Sequence, residues 1–182
     1  MTVEVTPTTF TYVYFDSAYI ARIAQRLIGL FHLENHNIRI DVNETTPLAK
    51  MHIEFGDPIV INIQSGAFED FSRPRQQSEP ATTQSLGRIL LKVRDRLSPE
   101  FANAPADEDL TLVQVAIWET YCVARLSRHD IDINRQRWLY NFRNRHGFND
   151  ASDRAFEKIW SSNDLTWEQL QNISDTAIAL VQ

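Results

Sequence analysis

The chain has 182 residues, of which 43% are hydrophobic and 23% are charged. This composition is close to the globular average, so it excludes disordered and fibrous proteins. The formal net charge of -6 argues against a general nucleic-acid binder, because an acidic surface repels phosphate. The length suits one domain with a core. We therefore predict a single domain over residues 1–182, with an α/β portion at 1–64, a long surface loop at 65–84 and a helical portion at 85–182.

The N-terminal portion begins with a predicted strand and a predicted helix. Residues 9–15 are rich in Thr, Tyr, Val and Phe, a composition typical of strands. Apolar residues then recur at helical spacing over residues 18–33, and Asp16 or Ser17 is suited to cap this helix.

Three runs of alternating apolar and polar residues follow, at 37–42, 50–55 and 59–64. A period of two sends their apolar residues to one face of a sheet. Gly56-Asp57 before Pro58 predicts a tight hairpin between the last two runs, and a longer loop joins the first two. We predict a three-stranded antiparallel meander on which the N-terminal strand and helix pack, with one solvent-exposed polar face (the wet face) and one apolar face that the helix covers. The residues assigned to its buried face are Ile38, Ile40, Val42, Met51, Ile53, Phe55, Ile59, Ile61 and Ile63.

The wet face of this meander carries the first candidate site residues, His52 and Glu54. Alone, these two side chains suit a ligand set or an acid–base pair. Because Arg39, Asp41 and Lys50 share the face, we interpret the group as cross-strand charge pairs. His52 and Glu54 remain candidate binding residues.

Residues 65–84 have no periodicity and contain two prolines, which predicts a long surface loop of a kind often used for binding. The rest of the chain predicts about five helices, so the fold class is α+β with a mostly helical C-terminal half. The first of these helices ends at Ser98-Pro99. The later ones are predicted at 110–126, 135–146 before Gly147, 150–161, and 167–180 after a capping box of Thr166 and Gln169.

Glu119 is the strongest chemical signal, because it is an acid on an apolar helix face. A carboxylate in such surroundings is paired with a buried cation, raised in pKa, or at the lip of a cavity. We predict a buried structural ion pair with the arginine-rich helix nearby, and keep a catalytic Glu119 as the alternative. The helix neighbours of Glu119 at positions three, four and seven away are Leu112, Val115, Ala116, Cys122, Val123 and Leu126.

The segment 135–148 interleaves arginines with aromatic residues, as RNA-binding and single-stranded DNA-binding segments do. A helical wheel places Trp138, Leu139, Phe142 and His146 in the core and leaves Tyr140 outside. Since the arginines are scattered around the helix, they are available to pair with carboxylates. The candidate binding residues are Arg137, Arg143, Arg145 and His146.

No cofactor or metal motif is present in the sequence. The order of helix, strands and further helix is similar in outline to that of zinc metallopeptidases, but His-Glu-x-x-His is absent and the helix after the meander carries Gln84-Ser-Leu-Gly-Arg88. His32 and His36 lack a third ligand, and the acids at 107–109 suit a helix start. The glycine-rich phosphate loops and the Gly-x-Ser-x-Gly elbow are also missing. We therefore expect no cofactor and no metal.

The single cysteine, Cys122, is predicted to be a small core residue, and the N-terminus lacks the pattern of a signal peptide. The longest apolar stretch, 20–33, is interrupted by polar residues and falls short of the roughly 20 apolar residues of a membrane span. We expect a soluble cytoplasmic protein without membrane association.

The first functional hypothesis is a non-enzymatic binding or protein-interaction module. Its partner would be a protein, in a hetero- or homo-oligomer, and its surface the polar sheet face with the 65–84 loop. The alternative is a metal-independent enzyme or small-molecule-binding protein that uses Glu119 with nearby Arg and His side chains. A third hypothesis, which the net charge disfavours, is weak nucleic-acid binding through the Arg135 to Arg145 segment.

Overall fold

A computed structural model describes residues 2–179, and all of their side chains except that of Ala179. The chain divides into two compact units after Arg94. The division falls within one long helix, α2 (Glu79–Leu97). The fold is a mixed one of helices and a small sheet, and the prediction of a single domain stays a prediction.

The first unit contains a four-stranded mixed sheet. Its strands are β1 (Val3–Thr6), β2 (Ile38–Asn43), β3 (Met51–Glu54) and β4 (Ile59–Gln64), in the spatial order β1-β2-β4-β3. The strands β1, β2 and β4 are parallel, and β3 is antiparallel to β4. Helix α1 (Ser17–Leu30) connects β1 to β2 and begins at Asp16, whose carboxylate accepts the backbone N–H groups of the first turn.

The predicted antiparallel meander is wrong, although its three strands exist and the β3–β4 hairpin is confirmed. The β2 strand pairs with β4 rather than with β3. The reason is physical: a period of two fixes which face of a strand is buried, but it does not choose the neighbouring strand. The Asn43–Lys50 connection is long enough to carry β3 past β4 to the edge of the sheet.

The N-terminal strand also lies elsewhere than predicted. Residues 9–15 are irregular apart from one bridge between Tyr14 and Gln76, and β1 lies earlier in the chain. The predicted buried face is confirmed for seven of its nine residues. Met51 is only half-buried and Phe55 is 48% exposed, because they belong to the short edge strand and the turn that follows it. The seven buried residues are Ile38, Ile40, Val42, Ile53, Ile59, Ile61 and Ile63.

The segment predicted as a long loop is instead structured. A 3-10 turn at Ser65–Ala67 precedes a hairpin of β5 (Glu69–Asp70) and β6 (Arg73–Gln77), and α2 begins at Glu79. Phe68 is fully buried. A Cβ atom on Gly66 would lie 2.1 Å from the carbonyl oxygen of Pro47, so this turn packs directly on the β2–β3 connection.

The second unit is helical, as predicted. After the end of α2 it contains α3 (Leu112–Ser127), α4 (Arg135–His146), α5 (Asp150–Ser161) and α6 (Trp167–Ala179). The capping box of Thr166 and Gln169 is confirmed by two hydrogen bonds of 2.9 and 3.2 Å. The prediction that α6 reaches Leu180 falls outside the described residues.

The acids at 107–109 do not open a long helix. They form a short 3-10 turn of their own, and Thr111 is the residue that caps α3. Asp107 instead accepts a hydrogen bond of 2.6 Å from the guanidinium of Arg96. Asp107 therefore has a structural role through an ion pair rather than through the helix dipole, and the roles of Glu108 and Asp109 stay predictions.

Candidate functional site

The tip of the β5–β6 hairpin presents a fully exposed aromatic side chain. Phe71 is 100% exposed. The turn that carries it is held by the Asp70 carboxylate, which accepts the backbone N–H of Ser72 at 2.9 Å and its hydroxyl at 2.6 Å. The other carboxylate oxygen accepts Arg73 Nη2 at 2.9 Å. The hydrogen bonds from Ser72, and then from Arg73, lower the pKa of Asp70 to about 2, so the turn keeps these bonds at neutral pH.

Two further exposed aromatic residues lie beside this hairpin. Tyr14 is 74% exposed, pairs with Gln76 and donates its backbone N–H to the carbonyl of Arg75 at 2.8 Å. Tyr12 is 57% exposed and lines the same groove as Arg75. Aromatic residues and arginine are the types enriched at protein interfaces. We call Tyr12, Tyr14, Phe71, Arg73 and Arg75 the hairpin surface.

Two half-buried acids anchor the backbone under this surface. Glu69 accepts the Ser65 hydroxyl at 2.8 Å and the backbone N–H of Arg75 at 3.1 Å. Glu44 accepts the backbone N–H groups of Thr11 and Tyr12 at 2.7 and 2.5 Å. The same two acids line a groove of about 340 Å³ together with Tyr12, Pro47, Ser65 and Arg75. The hairpin surface is therefore preorganised, which lowers the entropic cost of binding.

A second groove, of about 480 Å³, lies on the polar face of the sheet. It forms where the carboxyl ends of the parallel strands β1, β2 and β4 meet the start of β3, a position at which open α/β sheets bind ligands. Its polar lining includes Thr6, Asp41, Lys50, His52, Asn62 and Gln64.

The candidates His52 and Glu54 both lie exposed on this polar face. Glu54 accepts a hydrogen bond of 2.8 Å from the Asn62 side chain. The ion pair on the face joins Arg39 and Asp41 within one strand at 3.1 Å, so it is not the cross-strand pair we predicted. Of the two candidates, only His52 lines the groove. Binding roles for both stay predictions.

Glu119 is half-buried, so the fully buried position predicted for it is wrong, while its pairing with a cation stays a prediction. The first turns of α3 lie close to the surface, where Leu112 is 62% exposed and Val115 and Ala116 are half-buried. From Ile117 to Leu126, every residue of α3 except Glu119 is buried. An apolar helix neighbourhood does not guarantee burial when the helix begins at the surface.

A buried ion pair in the second unit joins Asp95 and Arg125. Their side chains are 4% and 6% exposed, and both guanidinium nitrogens Nη1 and Nη2 donate to the carboxylate at 2.7 Å. Trp118 Nε1 donates to the same carboxylate at 2.8 Å, and the guanidinium lies 3.8 Å from the Tyr121 ring centre. Burial disfavours the charge on Arg125, but the Asp95 hydrogen bonds and the electrostatic attraction of Cys122, Asp95 and Tyr121 together outweigh it and raise the pKa of Arg125. The sequence does contain a signal for this pair that our prediction did not use: Arg125 is a cation inside the otherwise apolar run 121–126.

The four candidates on α4 do not form one site. Arg143 pairs with Asp153 at 2.6 Å, which raises the pKa of Arg143 and lowers that of Asp153. Arg137 and Arg145 are exposed, and His146 is buried. Of the predicted core face, Phe142 and His146 are confirmed as buried, while Trp138 and Leu139 are half-buried. This separation weakens a shared binding role for the four.

His146 forms a sealed hydrogen-bonded pair with Ser174. Its Nδ1 donates to the Phe142 carbonyl at 3.2 Å, so Nε2 accepts the Ser174 hydroxyl at 2.8 Å. This is the polarity of a serine nucleophile and its base, but Ser174 has no solvent exposure and His146 only 4%. The pair therefore joins α4 to α6 and is closed to substrate.

The buried state of His146 predicts a pH dependence of stability. Burial lowers the pKa of His146 from 6.5, against the opposing effect of the Phe142 carbonyl. The unfolded chain then binds the proton more readily, so this contribution is present above about pH 6.5 and is lost as the pH falls below it. We expect His146→Gln to reduce the slope of unfolding free energy against pH between pH 7 and 5. Urea titrations of the wild type and of His146→Gln at several pH values measure this slope. Equal slopes would contradict the assignment.

Within residues 2–179, no cluster of three or more His, Cys, Asp or Glu side chains is placed to hold a metal ion. None of the described helices has the length and apolar character needed to cross a membrane. No protein-family model, curated protein or solved structure matches the chain. The case for a function therefore rests on the geometry of its own side chains.

Proposed function

We propose that the chain is a non-enzymatic protein-interaction module and that its first unit binds a protein partner through the hairpin surface. The observation that carries this proposal is the complete exposure of Phe71 on a turn held by Asp70. Exposing a large aromatic side chain to water gains nothing for folding. Buried against a partner, the same side chain is the kind that dominates binding energy.

The surroundings of Phe71 favour a protein over a nucleic acid as the partner. Tyr12 and Tyr14 add aromatic area, and Arg73 and Arg75 add cationic groups, but the supporting acids Glu44 and Glu69 lie among them in the adjacent groove. Carboxylates at the surface of contact would repel phosphate. A mixed set of aromatic residues, arginines and acids suits a protein interface.

The proposal is tested by affinity capture from the native host with Phe71→Ser. The matched control is Phe55→Ser, which removes an exposed Phe from the other hairpin of the same unit. We expect Phe71→Ser to lose a partner that the wild type and Phe55→Ser retain, with an affinity loss of about 30-fold or more, as for an interface hot spot. If all three proteins capture the same partners equally, the hairpin surface is not the interface.

The sheet-face groove supports a second candidate function, the binding of a small polar molecule. Its position at the carboxyl ends of three parallel strands favours this, as does a lining that contains a cation, a carboxylate and side-chain amides. Lys50→Glu combined with His52→Ala would then abolish small-molecule binding and leave capture through Phe71 intact. Glu119 lines neither this groove nor the one beside the hairpin surface, and the enzyme hypothesis based on it stays a prediction.

A further inference from the structure

A groove of about 440 Å³ lies between α5 and α6 in the second unit. Each helix contributes a single stripe to it. From α5 these are residues 151, 154, 155 and 158, and from α6 they are residues 169, 172, 173, 176 and 177. These spacings of three and four residues are those of one helix face. The groove is thus the seam between two adjacent helices, open on its outer side.

The floor of this groove is apolar. Ala155, Ile173 and Ala177 are 6%, 8% and 2% exposed, and Ala151 and Leu165 are half-buried beside them. Three of the five are alanines, so the floor is wide enough to admit side chains from another molecule. A floor of this kind favours Leu-sized apolar anchors.

The rim of the groove is basic, although the chain as a whole is acidic. Arg154 and Lys158 are exposed on the α5 side, one helical turn apart. None of the described residues that line the groove is acidic. Neither cation forms an ion pair with another described residue. The rim therefore offers two positive charges that no other described residue pairs, beside an apolar floor.

We infer that this groove binds an amphipathic helix of a partner protein whose apolar anchors are flanked by Asp or Glu. From Ala151 to Lys158 the α5 stripe covers seven residue-to-residue steps, which is about 10.5 Å of helix. A partner helix with anchors at positions i, i+4 and i+7 spans the same length. Its carboxylates would meet Arg154 and Lys158, which sets its orientation and excludes basic helices. The site is independent of the hairpin surface.

The experiment is selection from a displayed library of amphipathic helices with the polar face varied in charge, using the full chain as target. We expect the selected helices to be rich in Asp and Glu. Their affinity should fall about tenfold or more for Arg154→Glu with Lys158→Glu. The matched control, Arg137→Glu with Arg145→Glu, makes the same charge change at two exposed residues of α4 and should change affinity less than about twofold.

Three results would overturn the inference. The first is a selection in which no helix loses affinity for Arg154→Glu with Lys158→Glu, or in which the selected helices are basic. The second is binding of dodecanoate in the groove, seen as chemical shift changes at Ala155 and Ile173, when no helix is selected. The third is self-association of the chain that the α5 reversal abolishes, because the groove would then be covered by a second copy.

Discussion

Arg125→Met is expected to lower the free energy of unfolding by about 3–5 kcal/mol, because it leaves the Asp95 carboxylate buried without its cation. Asp95 is 4% exposed and keeps only the Trp118 indole among the three side-chain hydrogen bonds described above. Removal of a single partner from a buried pair costs more than removal of both. A urea titration, monitored by the signal of the tryptophans in the second unit, measures this change in the free energy of unfolding.

A double variant separates the ion pair from packing. In Asp95→Asn with Arg125→Met, no charge remains at either position, and the amide oxygen introduced at position 95 still accepts the Trp118 indole N–H. The double variant should therefore be destabilised by less than the sum of the two single variants. Additive losses, or a loss below about 1 kcal/mol for Arg125→Met, would show that the pair is not a stabilising unit.

Trp118→Ala is expected to destabilise the chain by about 3–5 kcal/mol, the usual cost of removing a large buried aromatic side chain. Trp118 is 1% exposed, and its ring centre lies 5.2 Å from those of both Phe101 and Trp167. Trp118→Phe is the matched comparison, since it keeps one aromatic ring in the cluster and removes the indole N–H donor with the second ring. We expect it to cost about 1–3 kcal/mol.

Calorimetry of both Trp118 variants gives these values directly. If Trp118→Phe costs as much as Trp118→Ala, the indole hydrogen bond to Asp95 dominates and the aromatic cluster contributes little. If neither variant is destabilised, the assignment of Trp118 to the core of the second unit is wrong.

Local sequence signals predicted the helices of the second unit well. The bounds of α4 and α5 agree with the structure because each is set by short-range chemistry: Asn134 and Asn149 cap their first turns, and Gly147, with a φ of 100°, ends α4. Burial of alternate residues in β2 and β4 was predictable for the same reason.

Properties that depend on distant parts of the chain were not predictable from these signals. The four residues of β1 form a strand because β2 pairs with them, whereas residues 9–15 have stronger strand propensity but make only one bridge, between Tyr14 and Gln76. The expectation of a buried, paired acid was sound in principle. It named Glu119, which is only half-buried, and missed Asp95, because Asp95 and its partner Arg125 are 30 residues apart and no local pattern links them.

The candidate site was only partly predictable. The sequence indicated the polar sheet face and residues 65–84 as a binding surface, but it treated the latter as a structureless loop. The exposure of Phe71 depends on the Asp70 turn, and the placement of Tyr14 depends on its bridge to Gln76 in β6. The Asp70-Phe71-Ser72-Arg73 sequence was the available signal, because Asp two residues before Ser favours a tight turn.

The most direct test of the hairpin surface is site-specific photo-crosslinking in the native host. A photoreactive phenylalanine analogue replaces Phe71 in one protein and Phe55 in another, so that both probes are exposed on the first unit. We predict a discrete crosslinked protein from position 71 that is absent from position 55. Crosslinks from position 55 alone, or the same products from both positions, would contradict the proposal that the hairpin surface is the interface.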